Sequence, residues 1–197
     1  LIHSIILARG GSKGIKNKNL YKINGKPLIY WSILASLRSK KIKYTWVSSD
    51  SKRILNFSKK MGARILIRSE KNSSDTASSE KAWLESINQI ETKHQKKIDI
   101  VVGIQPTSPI KTKFDFDEAL KIFKEKKLDS LFTSTLINDY FVWSKKKNKF
   151  KAMYDFNNRK RRQNIISKYL ENGSFYIFKL LKFKKHKNRL FGKIGTY

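Results

Sequence analysis

An α/β architecture, with a mostly parallel twisted sheet and helices on both faces, is predicted by two features of this 197-residue sequence. Short apolar runs alternate with segments whose apolar residues recur at helical spacing, the pattern of strands joined by crossover helices. The first apolar run passes at once into ARGGSKGIKNKN (8–19). In a parallel sheet such a loop stands at the carboxyl edge, where ligands bind. The length suits one domain with a sizeable core.

Leu1–Ala8 reads as the first strand, and Pro27–Leu37 as a helix on Leu28, Ile29, Trp31, Ile33, Leu34 and Leu37. Tyr44–Ser48 is the second strand. Asp50 and Ser51 are placed to cap a helix carrying Ile54, Leu55 and Phe57, which Gly62 ends. Arg64–Ile67 follows as a strand, Ala77–Ile90 as a helix, Ile98–Ile104 as a strand, Phe114–Phe123 as a helix and Ser130–Thr135 as a strand. From about residue 136 the rhythm breaks. SKKKNKFKAMYDFNNRKRRQN (144–164) is polar, basic and aromatic, and reads as a hairpin-like insertion or an interface arm. NGSFYIFK (172–179) is a last strand entered through an Asn172-Gly173 turn.

The composition excludes several classes. A hydrophobic share of 39% with 12 Phe and 8 Tyr belongs to a folded chain. No apolar run approaches the ~20 residues of a membrane helix. Zero cysteines remove disulfides, thiolate metal sites and cysteine nucleophiles, and fit a cytoplasmic protein. The net charge of +29 suggests nucleic acid at first sight. Lys outnumbers Arg 35 to 9 along the whole chain, however, which we read as base-composition bias. Retention of that charge at matched positions in relatives from base-balanced genomes would sink this reading. His3, His94 and His186 share no metal-ligand spacing, and no metal ligand is assigned. Ser12 and Ser108 have no histidine partner for a hydrolase triad.

Glycines in the first loop let backbone N–H groups approach a phosphate, and Arg9 and Lys13 can neutralise its charge. The P-loop pattern fails because Ile15 follows Gly14, and G-x-G-x-x-G needs a different glycine spacing. A polyphosphate cradle is therefore expected; the plainer alternative is a glycine turn with solvated lysines.

LARGGSKGIKNKN followed by INGKPLIYWSI (23–33) resembles the opening of the CMP-acylneuraminate synthetase family. VSSDS (47–51), GARILIRSEKNSSDTASS (62–79), IQPTSPI (104–110) and ENGSFYI (171–177) resemble further motifs of that family, in the same order. The resemblance implies a three-layer, Rossmann-like nucleotidyltransferase formed by residues 1–197, with 136–165 as a small dimerisation insertion. It implies transfer of CMP from CTP to the anomeric hydroxyl of a nonulosonic acid with release of pyrophosphate. It implies a cytoplasmic homodimer using magnesium, and a product that supplies surface polysaccharide.

By this resemblance, Ala8, Arg9, Gly10, Gly11, Ser12, Lys18, Asn19, Arg68, Ala77 and Ser79 bind the nucleotide, and Arg9, Lys13 and Asn19 serve catalysis. Gln105, Asn172 and Gly173 meet the sugar acid. Without it, Asn19 reads as a turn residue, Arg68 as a surface arginine, and Asp75 or Thr76 as a helix cap. Gly173 reads as a tight turn, and Asp50 as a helix cap before a metal ligand.

Three departures bear on these expectations. Lys16 stands where many relatives have proline. On the acceptor side, Tyr169-Leu170-Glu171 stands where several have Arg-Pro, and Trp143 where some bacterial members place lysine. The aspartates that hold magnesium in the family would lie beyond Tyr197, so a fragment of a longer protein is expected. The same chemistry on 3-deoxy-manno-octulosonate is the near alternative. A basic nucleic-acid-binding module built on NNRKRRQN (157–164) is the distant one, although nucleic acid is not the expected partner.

Overall fold

The computed structural model describes residues 1–12, 14–137 and 141–197. In chain order the first half contains β1 (Ile2–Leu7), a 3-10 turn (Lys18–Leu20), the short strands β2 (Lys22–Ile23) and β3 (Lys26–Pro27), α1 (Leu28–Arg38), β4 (Tyr44–Ser49), α2 (Lys52–Lys60), β5 (Arg64–Ile67), α3 (Glu70–Ser73) and α4 (Ser79–Thr92). Then come β6 (Ile100–Ile104), α5 (Lys113–Glu125), β7 (Ser130–Ile137), β8 (Trp143–Lys146), β9 (Lys149–Ala152), β10 (Lys168–Lys179), α6 (Leu180–His186) and β11 (Ile194–Thr196).

Seven strands form one sheet in the order β11-β7-β10-β6-β1-β4-β5. The pairs β1–β4, β1–β6, β4–β5 and β7–β11 are parallel, and β10 runs antiparallel to β6. The mostly parallel α/β sheet expected from the alternating pattern is therefore present. Successive strand residues face opposite sides. On β1 and β6, Ile6, Val102 and Ile104 join Ile29, Ile33, Phe116 and Leu120 of α1 and α5 in one core. Ile5 and Val101 join Trp83, Ile87 and Phe183 of α4 and α6 in the other. Both faces of the central strands are buried, which is why they read as unbroken apolar runs. Asp115 accepts from the N–H of Thr112 at 2.6 Å and so closes the first turn of α5.

The chain forms two compact units: Leu1–Thr133 with Gly173–Tyr197, and Ser134–Asn172. The second contains the β8–β9 hairpin, antiparallel and largely exposed, within the segment where the rhythm breaks. Phe141 and Trp143 pack against Tyr154 there, with ring centroids 4.8 and 5.8 Å apart, and Trp143 also meets Phe156.

Three local expectations are corrected. Asn172 and Gly173 do not turn the chain into a strand; both lie inside the twelve-residue β10. Gly173 has φ +66°, a conformation that bends a strand without ending it and that glycine adopts without a Cβ penalty. A turn and a bend share one sequence signal, and β10 continues because it has a partner strand. The cap of α4 is Ser78, whose side chain accepts from the N–H of Lys81, rather than Asp75 or Thr76. At α2, Ser51 occupies the cap position and Asp50 turns elsewhere. Sequence periodicity was too short to reveal β2, β3, α3, α6 and β11.

Candidate active site

A cleft of about 300 Å3 opens at the carboxyl edge of the sheet. Four separate segments line it: the loop after β1, the turn before β2, the stretch from β5 to α4, and the loop after β6. Of the residues expected to bind nucleotide or sugar acid, Arg9, Ser12, Lys18, Asn19, Arg68, Ala77, Ser79 and Gln105 line this one cleft.

The loop after β1 is held from two sides. Asn19, which is buried, donates its amide to the carbonyl of Arg9 at 2.9 Å. The N–H of Gly10 donates to Asp50 Oδ1 at 2.7 Å. A Cβ at Gly10 would stand 2.9 Å from the Ser51 Cβ, so glycine is required there for space. Asp50 is thus a brace for the loop and not the helix cap expected. Its carboxylate takes a loop N–H that has no strand partner. The Gly10 amide is correspondingly turned to Asp50, and neither Gly10 nor Gly11 is among the lining residues. Ala8 is fully buried at the end of β1, its N–H donating to the Ser48 carbonyl at 3.0 Å. Lys13 lies outside the described residues.

Arg68 follows β5 directly and is only 6% exposed, unlike the surface arginine that its position alone suggests. Its guanidinium donates to Ser48 Oγ (3.2 Å) and to the Ser48 carbonyl (2.7 Å). Burial pushes its pKa down to about 10, while the charges of Asp50 and Glu85 oppose that shift. It remains a cation at neutral pH. Arg9 donates to Asp75 Oδ1 at 2.7 Å on the cleft rim. Arg9, Lys18 and Arg68 face the single carboxylate of Asp75 among the lining residues, a charge balance suited to a polyanion.

The stretch from β5 to α4 is organised by Glu85 of α4, which accepts from the N–H of Ser69 (3.0 Å) and the amide of Asn72 (2.8 Å). Asn72, Ser74 and Ser78 line the cleft beside Ala77 and Ser79. Sequence reasoning passed over them because polar loop residues carry no periodic signal; the neighbouring DTAS motif was the available clue. After β6, the N–H of Gln105 donates to the Ser174 carbonyl at 3.2 Å. A Cβ on Gly173 would lie 3.5 Å from Gln105 Oε1, so backbone and side chain meet closely there. Asn172 is the last residue of the second unit, and neither it nor Gly173 lines the cleft. Among the described residues there is no group of three or more His, Asp or Glu side chains able to hold a metal ion.

Helices on both faces of a mostly parallel sheet, with cations and an arginine-glycine loop at its carboxyl edge, define an α/β protein of the nucleotidyltransferase type. The chain belongs to the cytidylyltransferase family, which matches residues 3–194. Its relatives include proteins named N-acylneuraminate cytidylyltransferase, the activity of the CMP-acylneuraminate synthetase group that the motifs resemble. The N-acylneuraminate cytidylyltransferase of Oncorhynchus mykiss is 37% identical over 182 residues, covering 90% of this chain and 41% of that protein. Post-translational flagellin modification protein B of Campylobacter coli is 30% identical over 191 residues, covering 95% and 81%. The chain therefore spans about two fifths of the length of the first and four fifths of the second. In fold it is similar to a CMP:2-keto-3-deoxy-manno-octonic acid synthetase solved with CTP, with TM-score 0.68 at 19% identity over 94% of this chain and 77% of that one.

Proposed function

We propose that this chain transfers CMP from CTP to the anomeric hydroxyl of a nonulosonic acid. The hydroxyl oxygen attacks the α-phosphorus, the bond to the β-phosphate oxygen breaks, pyrophosphate leaves, and the hydroxyl proton is lost. One observation carries the reading: four segments distant in sequence deliver Arg9, Lys18, Asn19, Arg68, Ala77, Ser79 and Gln105 to a single cationic cleft. In-line phosphoryl transfer needs positioning and charge stabilisation above all. Arg9, Lys18 and Arg68 offer charge to the phosphates, and Asn19 holds the loop that bears Arg9. Ala77 and Ser79 offer a small face and a hydroxyl to the base. Gln105 opens the acceptor side.

Among the described residues no group of three or more His, Asp or Glu side chains occurs, and no magnesium ligand is assigned among them. Magnesium remains part of the proposal, with ligands outside the described residues, and no step is derived through it. The nine-carbon acceptor is preferred over the octulosonate because the relative from Oncorhynchus mykiss is named for N-acylneuraminate. Homodimerisation through the second unit, a cytoplasmic setting and delivery of product to surface glycans belong to the same proposal. Exposed Trp143, Phe150, Phe156 and Ile166 support the first of these.

The test is pyrophosphate release from CTP and magnesium across nonulosonic and octulosonic acids, with UTP and ATP as controls. Release with CTP and one nine-carbon acid is expected. Absence of release with every acid, from folded full-length protein, sinks the reading.

A further inference from the structure

Lys111 is a lysine buried beside the cleft, 8% exposed, that the mechanism above does not use. It closes the loop after β6. Its ammonium donates to the carbonyl of Gln105 at 3.1 Å and to the carbonyl of Ser108. Prolines at 106 and 109 remove two N–H donors from this short turn. Gln105 is thereby held at both ends, its N–H by the Ser174 carbonyl and its own carbonyl by Lys111. Gln105, Pro106 and Thr107 form the wall of the cleft built by this turn. Burying an ammonium is costly unless it is well bonded, so its place here implies that the turn depends on it.

We propose that Lys111 is a positioning residue that sets the place of the Gln105–Thr107 wall by tying the two carbonyls of its turn. That this wall receives the sugar acid rests on the function proposed above.

The environment makes the tether sensitive to pH. Burial pushes the Lys111 pKa down to about 8, opposed by the charge of Asp115. Asp115 is itself bonded by Thr112 and by the Tyr197 hydroxyl, and the cations Arg38 and Lys113 share a groove with Lys111. Below about pH 8 the bonds are charge-assisted. As pH rises through that value they weaken, because a neutral amine donates less strongly. An arginine at 111 stays charged throughout.

Full-length wild type, Lys111→Met, Lys111→Gln and Lys111→Arg are compared in two ways, with thermal unfolding identifying the folded variants. Amide hydrogen exchange over residues 104–111 at pH 7 is expected to quicken about tenfold in the two uncharged variants and to stay near wild type in Lys111→Arg. Steady-state kinetics are expected to show KM for the sugar acid raised about tenfold in the uncharged variants, with KM for CTP nearly unchanged. In wild type that KM climbs from pH 7 to 9, and Lys111→Arg flattens the climb. Unchanged exchange in folded Lys111→Met and Lys111→Gln overturns the proposal, as does an equal rise of both KM values. If wild type turns over no acid, the functional reading fails while the exchange experiment still decides the role of Lys111.

Discussion

The cleft and the second unit are both rich in cations and polar groups, yet they are built in opposite ways. In the cleft Arg68 and Asn19 are buried and matched, Arg68 against Ser48 and Asn19 against the Arg9 carbonyl, and the exposed Asp50 braces the adjoining loop through the Gly10 N–H. In the second unit the apolar side chains are the exposed ones, with Trp143 47%, Phe150 65% and Ile166 84% exposed. Charge alone therefore does not mark the site. A polar group marks it when burial and a defined partner hold it in place, since an unmatched buried group costs about 1–3 kcal/mol. Large apolar groups left facing out mark a surface that a partner can cover.

The largest effect that would break this comparison is at Arg68. Arg68→Met is expected to lower kcat/KM for pyrophosphate release about 10²- to 10³-fold, the scale of one lost charge-stabilising donor. The thermal midpoint should fall modestly, because the buried Ser48 Oγ loses its donor while the Ser48 carbonyl keeps the Ala8 N–H. Wild-type activity in that variant would remove Arg68 from the site. Next is the brace: Asp50→Ala frees the Gly10 amide and should raise KM for CTP about tenfold, consistent with losing one hydrogen bond to a charged group. An unaltered KM would make the contact incidental.

In the second unit, Trp143→Ala with Phe156→Ala should weaken self-association at least about tenfold in sedimentation, since large aromatic anchors carry most interface energy. A wild-type chain that is monomeric at micromolar concentration would refute the interface. The smallest effect is at Asp129, which accepts from Lys179 (2.9 Å) and Lys182 (2.7 Å) and from the N–H of Lys193. Hydrogen bonds from the Lys182 and Lys179 ammonium groups hold its carboxyl well below the ordinary range. Its contribution is present above the unfolded-state pKa and is lost as pH falls towards the lower folded value. Both lysines are about half exposed, so Asp129→Asn should cost only about 1 kcal/mol near neutral pH. The two proteins should keep their gap in unfolding midpoint down to about pH 4 and converge only below it; a gap that closes above that range would rule out this origin.

Several features of the fold were legible because they are local. Ile5-Ile6 and Val101-Val102 alternate between two buried faces and so read as central strands. Family-like motifs marked Arg9, Asn19, Arg68 and Gln105, all of which line the cleft. Asn172-Gly173 misled because its turn signal is shared by a bent strand. Asp50 misled because a residue beside a helix start looks like a cap until a competing donor comes near. Lys111 follows the IQPTSPI motif directly but was not singled out, being one lysine among 35.

By itself, the sequence determined the α/β class, the strand and helix alternation, and the segments that would face a polyanion. Those follow from hydrophobic period and backbone chemistry within a few residues. Tertiary structure alone decided the partners: Asp50 for Gly10 across 40 residues, Asp75 for Arg9 across 66, Ser48 for Arg68 across 20. Such pairings depend on which strand edges lie side by side, and no local periodicity encodes them.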